Sequence, residues 1–126
     1  MRDQARYWAE SNLQCEIVKL LRAALPPFYR VVAVPNGRFK ADPRTIARLK
    51  REGLTPGIFD LQVIRSDGWS CWLEVKAEKG ALSSEQKEFG DWLSSGGASA
   101  AVVRSLDEAV AALTSFGVPL RARVAA

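Results

Sequence analysis

Histidine is absent from the chain. Its absence removes Ser-His-Asp and Cys-His hydrolysis, His-dependent metal nucleases and every zinc site that needs an imidazole. Cysteine is scarce: Cys15 and Cys71 are the full set, too few for a four-thiolate centre. No apolar signal segment follows Met1-Arg2-Asp3-Gln4-Ala5-Arg6, so a cytosolic location is expected. In that compartment both thiols read as small buried hydrophobes rather than as a disulfide. Long apolar runs are also missing. None approaches the ~20 residues of a membrane helix, so no membrane partner is expected. The chemistry that remains must use carboxylates, lysine, hydroxyls or amides, with or without a hard metal.

What is present is an ordinary globular composition. With 48% apolar and 25% charged residues, residues 1–126 read as one domain with a real core. The formal charge of +4 leans towards a polyanionic partner without establishing one.

Leu13, Ile17, Leu20, Leu21 and Ala24 recur at helical spacing within residues 9–25, and Pro26-Pro27 stops that helix. Residues 29–34 are rich in β-branched side chains and predict a buried strand, broken by Pro35-Asn36-Gly37. Residues 43–52 predict a short helix, with Asp42 as N-cap, Pro43 first and Gly53 just past the end. Residues 59–65 and 69–77 predict two strands around Ser66-Asp67-Gly68, a hairpin signal. Residues 83–95 predict a helix with Phe89, Trp92 and Leu93 on one face, ended by Gly96-Gly97. A strand over 99–104 and a helix over 106–116 capped by Ser105 follow; the tail from Val118 has no clear pattern. The order α-β-α-β-β-α-β-α implies an α/β fold, a mixed central sheet flanked by helices.

The informative places are those where polar residues sit in apolar patterns. Glu74 and Lys76 project from one face of their strand, and Asp60 shares a face with Gln62 and Ile64. With a three-residue loop at 66–68, Arg65 faces Trp69 and Asp60 faces Glu74, their β-carbons about 5 Å apart. A two-residue Asp-Gly loop would instead turn Asp60 to the other face. Facing carboxylates repel; a divalent cation offsets that directly and Lys76 offsets part of it. The alternative is an exposed carboxylate pair with a flanking lysine.

Three further features carry a structural and a functional reading each. Glu10 and Gln14 fall inside the apolar arc of the first helix, one turn apart, while Glu16 lies near its edge; an acid in the first turn also suits the helix dipole. Ser83 and Gln86 have capping-box spacing, yet this helix start follows closely on Lys76, where free N–H groups suit a phosphate. Residues 36–52 hold Arg38, Lys40, Arg44, Arg48, Lys50 and Arg51 against two acids, a net +4 equal to that of the whole chain. Arg44, Arg48 and Arg51 share one helix face: a solvated stripe, or a contact to a phosphate backbone.

Together, Thr55-Pro56-Gly57-Ile58-Phe59-Asp60, then Glu74-Val75-Lys76, then Gly80-Ala81-Leu82-Ser83-Ser84-Glu85-Gln86 resemble the PD-(D/E)XK nuclease superfamily. More narrowly they are similar to the VRR-NUC family, whose stand-alone members are small phage and bacterial proteins. Glu10-Ser11-Asn12-Leu13-Gln14, Asn36-Gly37 and the basic helix running into Gly53 fit it as well, so the resemblance reaches to about Phe116. One departure stands out: the family has Pro directly before the aspartate, where this chain has Phe59.

The resemblance implies a restriction-endonuclease-like core and a metal-dependent, structure-specific endodeoxyribonuclease, Holliday-junction-resolvase-like and acting as a homodimer on branched DNA. A flap or nicking nuclease and a catalytically silent DNA-binding module are the alternatives. It implies Mg²⁺ or Mn²⁺ on Asp60, Glu74, the Val75 carbonyl and Glu10 (Glu16 as fallback). It implies catalytic roles for Asp60, Glu74, Lys76 and Gln86. DNA contacts are expected from Gln14, Arg38, Lys40, Arg44, Arg48 and Arg51.

Overall fold

The computed structural model of the chain describes residues 2–34 and 42–121. The break expected at Pro35-Asn36-Gly37, the basic residues Arg38 and Lys40, and Arg123 of the tail lie outside that range. Among the described residues four helices and four strands follow the predicted order: α1 (Arg2–Ala24), β1 (Tyr29–Ala33), α2 (Pro43–Arg51), β2 (Leu61–Arg65), β3 (Ser70–Val75), α3 (Ser84–Ser95), β4 (Ser99–Val103) and α4 (Leu106–Ser115). No helix among the described residues is long and apolar enough to cross a membrane.

The sheet order is β1-β2-β3-β4, with antiparallel pairs β1–β2 and β2–β3 and a parallel pair β3–β4 joined through α3. Strand alternation divides its side chains between two layers. Leu61, Val63, Cys71, Leu73 and Val75 are fully buried with Ile17 and Leu21 of α1 and Leu113 of α4. On the other face α3 packs Phe89 against Phe59 and Trp72, at ring separations of 5.5 and 5.6 Å.

The hairpin uses the three-residue loop. Arg65 N–H donates to the Trp69 carbonyl at 2.8 Å, and Gly68 closes the turn at φ +100°. Asp67 accepts from the Arg65 side chain at 2.8 Å and from Trp69 N–H at 3.1 Å. Arg65 foremost, then that backbone bond, holds its carboxyl below the usual range. The register Leu61↔Leu73 and Val63↔Cys71 therefore continues to Asp60 opposite Glu74.

Four expectations need correction or refinement. The first helix begins at Arg2, about two turns before the segment expected from residue 9. β1 is an edge strand with Arg30, Val32 and Ala33 exposed, not a buried one; only Tyr29 and Val31 face the core. Trp92 lies against Phe89 on the expected face but is 64% exposed, while Leu93 is buried. Cys15 is exposed and only Cys71 is buried. At the far end Arg121 donates to the Ala23 and Leu25 carbonyls, satisfying the open C-terminus of α1.

Candidate active site

Asp60 and Glu74 are braced by each other's strands. Val75 N–H donates to Asp60 Oδ2 at 2.8 Å, and Asp60 N–H donates to Glu74 Oε1 at 3.2 Å. Both side chains are removed from solvent, at 1% and 0% exposure. The turn that delivers Asp60 passes close over α3. Gly57 sits there at φ +85°, where a Cβ would overlap the Glu85 backbone, so only glycine fits. Phe59, in the place of the expected proline, is buried against Phe89 and anchors the strand entry by packing.

Gln86 joins the start of α3 to this pair. Its Oε1 accepts from Ser83 N–H at 2.8 Å, and Ser83 Oγ accepts from Gln86 N–H at 3.1 Å, completing a capping box. The other end of the same amide, Nε2, donates to Glu74 Oε2 at 2.8 Å. The structural and functional readings of Gln86 are thus compatible in one side chain. Lys76, 9% exposed, brings Nζ to 3.9 Å from Glu74 Oε2.

Glu10 reaches the same end of β3 from α1. It is 6% exposed, and its Oε2 accepts from Ala77 N–H at 3.2 Å; Glu16 is exposed. Gln14, one turn on, is half-buried. Gly80 leaves room for Glu10, since a Cβ there would stand 3.1 Å from Oε2.

Arg104 was not singled out from sequence, because a single arginine between a strand and a capping serine has no pattern to betray it. Its Nη1 donates to the carbonyls of Ala77 at 2.8 Å and Gly80 at 2.6 Å, with Glu78 at 3.4 Å. The loop that follows Lys76 is therefore held from one side by a carboxylate and from the other by a guanidinium.

Two buried carboxylates side by side are costly unless positive charge answers them. Lys76 answers in part. A hard divalent cation suits the donor set, since Mg²⁺ is commonly held by one or two carboxylates with water completing the shell. Among the described residues no three acidic or thiol side chains are gathered into one ligand cluster. Any cation would thus rest on Asp60 and Glu74, with Glu10 engaged by Ala77 N–H in this conformation.

The basic helix stands apart from this centre. None of the α2 side chains is buried, and Arg44, Arg48 and Arg51 line one shallow exposed groove. Asp42 caps the helix by accepting from Thr45 N–H at 2.8 Å, which lowers its pKa. Arg48 pairs with Glu52 at 3.3 Å, exposed on both sides.

No protein-family model matches the sequence, and no curated protein does. A solved structure described as a VRR_NUC domain protein is similar at a TM-score of 0.62 and 18% identity, over 86% of this chain and 87% of that one. The likeness is one of fold: four helices on an open mixed sheet, in the arrangement the sequence motifs implied.

Proposed function

We propose that this chain is a divalent-metal-dependent endodeoxyribonuclease acting on branched or otherwise structured DNA, in the manner of a Holliday-junction resolvase. The observation that carries the reading is the Asp60–Glu74 pair, buried and backbone-braced, with the Lys76 ammonium 3.9 Å from Glu74. The fold shared with a VRR_NUC domain protein supports the nuclease class.

Asp60, Glu74 and the Val75 carbonyl would hold Mg²⁺ or Mn²⁺, with Glu10 adding negative charge at the same strand end. When bound, the cation draws charge off the phosphodiester and eases deprotonation of water. Lys76 orients the attacking water and stabilises charge developing on the phosphoryl oxygens. Gln86 keeps Glu74 in one rotamer. Water adds to phosphorus, the P–O3′ bond breaks, and the ends are a 5′-phosphate and a 3′-hydroxyl. Gln14 and the arginines of α2, with Arg38 and Lys40 on the segment before it, contact the DNA backbone. Symmetrical cutting of two strands calls for a homodimer, the commonest closed assembly.

Lys76→Ala should reduce cleavage of a labelled four-way junction by at least ~100-fold while its affinity stays within about two-fold. An unchanged cutting rate would remove the assignment. A silent binding module would cut none of a panel of junction, flap, nicked and duplex DNAs with either metal; a flap or nicking enzyme would cut those and spare the junction.

A further inference from the structure

An aromatic surface runs outward from the acid pair. Trp72 lies two residues before Glu74 on the same strand face, and Phe89 lies one turn after Gln86 on α3. Phe89 touches Trp72 edge-on at 5.6 Å and lies under Trp92 at 5.8 Å and 36°. Trp92 is 64% exposed, six residues or about 9 Å of helix from Gln86. Trp92 belongs neither to the buried core cluster nor to the side chains packed against it, and its indole rests on Phe89, which Trp72 backs in turn.

The surroundings define what meets it. Glu85, Glu88 and Asp91 against Lys87 leave the exposed side of α3 net acidic, which disfavours a phosphate backbone running along that helix. A flat, uncharged ligand group suits Trp92 better, with its phosphates elsewhere. Across the open sheet, Val32, Gln62 and Trp72 stand in one row, and Arg30 is exposed in the next. Gln62 offers an amide to a base edge and Arg30 a charge to a phosphate.

We propose that Trp92, backed by Phe89 and Trp72, is a stacking site for an unpaired nucleobase next to the phosphate on which the acids act. Stacking on aromatic side chains tolerates every base, so the site selects for a single-stranded nucleotide, not for a sequence. The inference rests on the nuclease reading and narrows its substrate to DNA that can present an unpaired base beside the cut, as at a branch point.

The test is binding by fluorescence anisotropy in a Lys76→Ala background, with a labelled oligo-dT and a duplex of equal length. Trp92→Ala should weaken oligo-dT binding about 10-fold and duplex binding less than two-fold, and Trp92→Phe should restore most of the loss. Equal effects on both probes, or none on either, would overturn the proposal. So would a dimer that Trp92→Ala converts to a monomer, since the face would then be covered by a second copy of the chain. Junction cleavage by the unsubstituted protein is measured in parallel. Cleavage with a silent Trp92 sinks the stacking site alone; a Trp92 effect without cleavage by any metal sinks the nuclease reading and leaves the binding site.

Discussion

Three carbonyl oxygens converge on Arg104, and the loop they belong to begins at the residue after Lys76. On the proposed nuclease reading, Arg104 would position that lysine through the loop. Small displacements at a reacting centre are costly, so Arg104→Ala should lower kcat about 10- to 100-fold and leave KM for DNA within about two-fold. Arg104→Lys should restore little, because an ammonium cannot reproduce the planar fork. A purely structural role would shift the melting temperature and leave that kinetic split unseen. The cysteines differ at this same scale. Burial pushes the Cys71 thiol from 9.0 up to about 12, while Cys15 is exposed. Native protein should consume one equivalent of a thiol reagent near neutral pH and two after denaturation. The raised value also fixes a sign: the Cys71 contribution to stability is complete below pH 9.0 and is lost as pH climbs towards about 12, checked by urea midpoints across that window. Neither contrast was legible in sequence. Cys15 sits in a helix with apolar residues on several sides, and only the packed structure shows which side meets the core.

At the scale of elements, period and punctuation carried most of the information. Ser105, Ser83 and Asp42 cap the helices their spacing indicates. The facing of Asp60 and Glu74 follows from counting outward from a three-residue loop, because side chains alternate with period two. What counting could not supply is who covers a face. Glu74 is buried where Gln86 of α3 reaches over it, Lys76 lies beside it, and β1 is exposed because it forms the sheet edge; these are matters of topology. The basic helix α2 is amphipathic without being buried, so its arginines are free to serve outward. Arg44→Ala and Arg51→Ala should each weaken DNA binding and flatten the slope of log K against log salt by about one. A slope unchanged by both substitutions would make the stripe a solvated face. Arg48 should give a smaller change, since Glu52 already neutralises it in part.

For the whole molecule, the proposed cation at the buried acid pair would couple ion binding to stability. Anything that binds only the folded state raises the melting temperature by mass action. Mg²⁺ or Mn²⁺ well above its Kd should raise it by about 5 °C in the unsubstituted protein. Asp60→Asn should abolish that rise. Differential scanning fluorimetry with and without chelator checks both outcomes, independently of any cleavage assay.

The two-ended amide of Gln86 has a consequence for motion. One end closes the first turn of α3 and the other restrains Glu74, so fraying of that turn removes one restraint on the acid while the bond from Asp60 N–H remains. Hydrogen exchange at the Ser83 and Gln86 amides would then report the fraction of molecules in which that restraint is open. A ligand held against Glu74 would slow that exchange, closing the restraint as it arrives.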